Sequence, residues 1–223
     1  MNFLYLLIKA IPLAFTALLP VVNPLGTSII LLSLTSGADD SSRRTLAKRI
    51  GLNTVILLTG LLLGGSYLLA FFGISVPIVQ AAGGLVLAAM GWKLLNQEES
   101  AEEAPVENRS EEKGGGSLMD LAFYPFTFPL TVGPGCVAVT LTLSAHFRQT
   151  SLIESVSVLT GAFLGILGIG FVMFFCFAYS RFLADRLGHS GTKVLLRLIA
   201  FIVVCIGAEI SWNGISTLIR QLH

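Results

Sequence analysis

The stretch "VVNPLGTS", Val21 to Ser28, lies inside the first apolar run of the chain. Proline removes a backbone donor and clashes with the preceding turn, and glycine adds backbone freedom, so an uninterrupted helix through this point is not expected. A break is predicted here, and its purpose decides how the rest of the chain is read.

Around this stretch the sequence has the composition of a membrane protein. Of 223 residues, 54% are hydrophobic and 12% charged, with a mean hydropathy of +0.81, outside the range of soluble domains. Six stretches are long enough to cross a hydrocarbon core of roughly 30 Å. They run from Phe3 to Leu34, Ile50 to Phe72, Ile74 to Leu95, Leu118 to Ala145, Leu152 to Tyr179 and Val194 to Ile219. The first lacks a basic leader and a small-residue cleavage site, so it reads as a retained span. The expected fold is all-α, six transmembrane helices in two three-span units, 1–95 and 118–223. The segment "NQEESAEEAPVENRSEEKGGG", Asn96 to Gly116, lacks an apolar face, and 96–117 is predicted to be a flexible acidic linker. Cys136, Cys176 and Cys205 fall in apolar spans without a CxxC pair, which argues against a disulfide relay or a metal site. No nucleic-acid partner or cofactor is expected.

Lysine and arginine set the orientation. Arg43, Arg44, Lys48, Arg49, Lys93, Arg109, Lys113, Arg181, Arg186, Lys193 and Arg197 fall on one side, and only Lys9, Arg148 and Arg220 on the other. Cationic loops stay inside, so both termini are predicted to be outside, in the periplasm of a bacterial inner membrane.

The opening motif has an echo. "LAF" at Leu13 to Phe15 recurs at Leu121 to Phe123, Pro20 corresponds to Pro129, "NPLG" to "GPGC", and "LLSLTS" (31–36) to "LTLSAH" (141–146). GxxxG pairs at Gly60 and Gly64 and at Gly161 and Gly165 fall at corresponding places, where they would let helix backbones approach closely. A duplication of three spans forces the second half to enter from the opposite face, giving inverted repeats in which spans 1 and 4 are broken. The first span as one straight helix would be about 48 Å long, which two offset half-helices would accommodate. The residues after each proline then start a new helix whose first donors lack partners. Those of Gly26, Thr27 and Ser28, and of Gly135, Cys136 and Val137, are expected to converge on an anionic group such as a carboxylate, with Leu25 among the substrate-binding residues. Asn23, Pro24, Gly133 and Pro134 frame the site, while Thr27, Thr127 and Thr131 supply hydroxyls.

At "LLPVVNPLG" (18–26), "PFTFPLTVGPG" (125–135), "AAGGLVLAAMGWKLL" (81–95) and "LLRLIAFIVVCIGAEISWNGI" (195–215) the chain resembles the MarC family of bacterial integral membrane proteins, over nearly its whole length. The resemblance implies a six-span inner-membrane protein grouped with small neutral amino acid transporters and, more distantly, LysE-type exporters. Gln80 stands where that family usually carries Arg, and Glu209 where it usually carries Gln.

Glu209 is the one carboxylate well inside an apolar run, where a charge costs roughly 2.5–3.5 kcal/mol on insertion scales, so it is a candidate coupling site for H+ or Na+. Asn53, Gln80 and Asn213 read as polar contacts between helices. The leading reading is a secondary transporter or exporter of a small zwitterionic solute, and a homo-oligomer is compatible with it. The alternative is an aquaporin-like channel, although aquaporins carry the motif on re-entrant half-helices with asparagine in both halves. HExxH, GxGD and paired intramembrane carboxylates are absent from the sequence, so no enzyme is expected.

Overall fold

A computed structural model of the chain describes residues 3–35, 37–96, 120–147 and 152–221. The predicted linker lies almost wholly outside the described residues. Within them the chain is all-helical: α1 (Phe3–Val22), α2 (Pro24–Leu34), α3 (Asp40–Phe71), α4 (Val76–Leu95), α5 (Pro134–His146), α6 (Leu152–Ala178) and α7 (Ser180–Gln221). Five continuous helical stretches are long and apolar enough to span a membrane, and a bent pair makes a sixth if counted as one span.

The two predicted breaks differ in kind. Phe3–Leu32 runs as a single 30-residue span, interrupted only locally at Asn23, whereas Phe123–Thr131 and Pro134–Ala145 meet at 66°. The first break is therefore a cap inside a span, and the expected pair of offset half-helices is realised only in the second half.

The second break is prepared by the irregular segment Phe123–Thr131, whose turns are wide and whose Tyr124 and Phe128 are extended. Pro125 and Pro129 each delete a backbone donor, and threonine hydroxyls supply side-chain donors to neighbouring carbonyls. Thr127 Oγ donates to Ala122 O at 2.6 Å, and Thr131 Oγ to Phe126 O at 2.8 Å. In hydrocarbon, where water cannot serve, such replacement is what allows the backbone to depart from a helix.

Helix packing follows the small residues. α1 runs parallel to α6, where Gly161 faces Leu7 O and Ala10, and Gly165 faces Ile11 O and Ala14. α3 crosses α6 where Gly51 meets Gly170. α4 and α7 form the most extensive pair and run antiparallel, with Gly84 against Gly207 and Gly91 against Ala200 and Val204. α5 packs between α3 and α4, meeting them at Gly65 and Gly83. The expectation for Gly60 and Gly64 is overturned: both are exposed, and a Cβ on either would meet nothing within 4 Å. The close approach in that helix is one residue further on, at Gly65, because the face that packs is the one carrying Leu58, Leu62 and Leu69.

Charged residues gather where α3 begins. Hydrogen bonds from Ser41 and Ser42 hold the Asp39 carboxyl well below the usual carboxylate range. Arg43, only 2% exposed, donates to Ala38 O at 2.6 Å. Asp40 lies 3.5 Å from Arg43 and 3.6 Å from Arg181, tying this end of α3 to the start of α7. Within α7, Gly188 at φ 62° takes a left-handed conformation that suits glycine, and the apolar span proper begins at Ser190.

Candidate functional site

Asn23 is the pivot of the first motif. It sits in the left-handed region (φ 47°, ψ 63°), one of the few side chains that tolerate it, and caps α2 by accepting from Gly26 N at 3.1 Å. Thr27 N donates to Asn23 O at 3.0 Å, and Thr27 Oγ donates to the same carbonyl at 2.9 Å. Pro24 has no N–H. The expected cluster of free donors is thus largely consumed by the chain itself, and within this first turn the donor left over is that of Leu25. Gly26 is required by the cap: a Cβ there would lie 2.3 Å from Asn23 Nδ2.

The second motif is capped differently. Gly133 occupies the capping position of α5 in an extended conformation and has no side chain with which to cap. Val137 N donates to Gly133 O at 3.1 Å, and the Cys136 thiol donates to Thr131 O at 3.3 Å. No side chain caps the backbone donors of Gly135 and Cys136. The open side expected of Gly135 is filled: a Cβ would fall 2.3 Å from Leu87 Cδ1 and 3.3 Å from Val21 Cγ1.

That last contact places the two proline breaks side by side, since Val21 immediately precedes the first and Gly135 follows the second. Beside the first break lies a cavity of about 360 Å³, lined from α1 and α2 by Leu19, Pro20, Asn23, Pro24 and Leu25. Its other walls are Val172 and Cys176 of α6 and Leu195, Ile199 and Ile202 of α7. The volume suits a small organic solute. Of the sequence-predicted residues, Asn23, Pro24 and Leu25 line it. Gly26, Thr27, Thr131, Gly133, Pro134, Gly135 and Cys136 do not. The walls from α6 and α7 escaped sequence reading because an apolar residue in an apolar span carries no signal of its own.

Glu209 is not among the lining residues. It is exposed, one face of α7 away from α4, and accepts from Asn213 Nδ2 at 3.3 Å. Ser211, on the opposite face, donates to Ala81 O of α4 at 2.9 Å.

Comparison with known proteins agrees with this architecture. The chain is 27% identical over 218 residues to an inner membrane protein MarC of Salmonella typhimurium, covering 97% of this chain and 99% of that one. It is 28% identical over the same length, with the same coverage, to proteins of that name from Escherichia coli O139:H28 and Citrobacter koseri. No solved structure matches. The model of the family described as MarC family integral membrane protein matches residues 8–219, and the chain belongs to that family.

Proposed function

We propose that this protein is a secondary transporter or exporter of a small zwitterionic solute, of the neutral amino acid type, in a bacterial inner membrane. The observation that carries the reading is the adjacency of two proline-broken spans, with Val21 against Gly135, beside a cavity sized for such a solute. Broken helices that meet within a bundle are how transporters present helix ends to a ligand without exposing backbone to lipid.

Inverted repeats are part of this proposal. Exchanging the halves pairs α1 on α6 with Phe123–Thr131 on α3, and α2 on α6 with α5 on α3, and returns α3 on α6 and α4 on α7 to themselves. Antiparallel packing of α4 against α7, equivalent spans of the two halves, is what an axis in the membrane plane requires. Orientation follows the cationic loops. A reporter fused after His223 is expected to be active outside and one inserted between Asn96 and Gly116 inside; a cytoplasmic C-terminus would reverse the assignment.

The donor left for a carboxylate in the cavity is that of Leu25, at the positive end of α2, while the uncapped donors of Gly135 and Cys136 at the end of α5 lie outside its lining. An amino acid amide or ester is therefore expected to compete with a transported neutral amino acid at least about tenfold less well than the parent acid, a difference of roughly 1.4 kcal/mol. Competition in sealed proteoliposomes measures this. Saturable flux supports a transporter, and equal competition by acid and amide would remove the carboxylate from these helix ends. Coupling to H+ or Na+ is read from the same vesicles by imposing each gradient in turn.

A further inference from the structure

The face of α7 that lines the cavity does not stop there. Leu195, Ile199 and Ile202 recur every third or fourth residue, and the same stripe continues through Ile206 to Glu209, Asn213 and Thr217. The opposite face, Ala200, Val204, Gly207 and Ser211, is packed against α4. α1 behaves in the same way. Its cavity-lining Leu19 and Pro20 continue along one face to Thr16, Pro12 and Lys9, all exposed, while Ala10, Ala14 and Leu18 are buried on the side of α6. α1 and α7 touch only sparsely. From the shared cavity, both faces continue toward the end of the bundle that holds both termini.

What these two faces present is unlike the apolar surface around them. A carboxylate at Glu209, an amide at Asn213 and hydroxyls at Thr16 and Thr217 stand on spans otherwise apolar. Glu209 is eleven residues from Arg220 and twelve from Arg197, about 17 Å and 18 Å along the helix, so it lies near mid-membrane with no cation of its own helix within reach, and Lys9, on the corresponding face of α1, stands over the Tyr5 ring at 4.5 Å. Asn213 gives Glu209 one hydrogen bond, at 3.3 Å. A carboxylate there facing hydrocarbon is costly, whereas one facing a wetted groove is not.

We infer that these two faces border a water-filled groove between α1 and α7 that joins the cavity to the terminus-side face, and that Glu209, with Asn213, is its station for a small cation. The inference rests on the transporter reading for its purpose and on the two helix faces for its geometry. Glu209 is seven residues from Ile202, about 10 Å along α7, too far for one small amino acid to touch it and the helix ends at Asn23 together. It therefore meets the cation on the way, whether the solute's own ammonium or an alkali ion.

The test is chemical and needs no knowledge of the solute. In a Cys205→Ala background, single cysteines are placed at Thr16 and Asn213, and at Leu63 as a lipid-facing control, with labelling of the unsubstituted background subtracted. Thr16→Cys and Asn213→Cys are expected to react with a water-soluble trimethylammonium methanethiosulfonate at least about tenfold faster than Leu63→Cys. Thr16→Cys should also favour the cationic reagent over its sulfonate counterpart by about tenfold, as a carboxylate in the same groove would dictate, and Glu209→Gln should abolish that preference. A neutral amino acid that slows the cationic reagent, where its N-acetyl derivative does not, assigns the cation to the solute. Slowing by Na+ in place of N-methylglucamine assigns it to an alkali ion. Two cysteines as slow as Leu63→Cys would overturn the path, and equal rates for both reagents, unchanged by Glu209→Gln, would overturn the station. Neither result depends on whether amino acids are transported, so failure of the transporter reading remains distinguishable.

Discussion

Gly207→Leu is expected to deplete the folded protein, lowering Tm in detergent by about 6–12 °C, while Gly60→Leu and Gly64→Leu leave it within about 1–2 °C of the parent. The asymmetry comes from what each side chain would strike. A Cβ on Gly207 lies 2.4 Å from Ala88 N and 2.7 Å from Gly84 O, and one on Gly84 lies 2.5 Å from both Gly207 O and Ser211 N. These are backbone atoms of a neighbouring helix and cannot rotate away, so α4 and α7 must separate. Between helices in lipid there is no hydrophobic force to compensate, since acyl chains are as apolar as leucine, and association depends on close packing and interhelical hydrogen bonds. Separation loses both, including Ser211 Oγ to Ala81 O. A cost of about 3 kcal/mol is typical of forced overpacking and corresponds to that shift for a chain of this length. Gly60 and Gly64 are exposed with open space around them, and leucine is at home there. Thermal unfolding of the three purified variants and the parent, with membrane abundance measured alongside, checks this; a normal Gly207→Leu would mean that the α4 and α7 backbones do not approach as described.

That the chain is a bundle of apolar membrane-length helices was readable because hydropathy and length are properties of single segments. Val194–Ile219 falls inside α7 as predicted, and Ile50–Phe72 overruns the end of α3 by one residue. Helix faces were harder to read. One GxxxG pair packs and its counterpart does not, because the motif states a spacing and the choice of face depends on a partner that sequence spacing does not name. The same reason hid the cavity walls. Val172, Ile199 and Ile202 are ordinary residues for a membrane helix, and only the placement of α6 and α7 against Asn23 makes them a lining. Both breaks were visible as proline motifs. That one is a local cap and the other a 66° bend was not, since the difference comes from Asn23, which can cap, against Gly133, which cannot, and from two further prolines in Phe123–Thr131.

Gly26→Ala is expected to destabilise the protein by about 1–2 kcal/mol alone and to become neutral or stabilising when Asn23→Gly is also present. The argument turns on which atoms the new methyl meets. The three nearest atoms to a Cβ at Gly26 are Asn23 Nδ2, Cγ and Oδ1, at 2.3, 2.8 and 2.9 Å. The amide must leave, and the cap on Gly26 N leaves with it, a loss of about 1 kcal/mol with some strain added. Asn23→Gly removes that obstacle and relieves the left-handed backbone at φ 47°, giving up the cap but little else. Gly26→Ala then costs nothing further and, within a helix, regains up to about 1 kcal/mol of backbone entropy. The sign of the Gly26→Ala effect should therefore reverse between the two backgrounds, a coupling of about 2 kcal/mol readable in a double-mutant cycle on Tm. The reading in which glycine is there to keep a ligand's approach open makes the opposite forecast. A methyl that crowds a solute does so whichever residue stands at position 23, so transport would fall in both backgrounds while stability barely moved. Measuring flux and unfolding on the same four proteins separates the two. A reversal in stability, with flux following the folded fraction, fixes Gly26 as part of the cap that lets Asn23 interrupt the span, and leaves solute contact to Leu25 and the helix ends beside it.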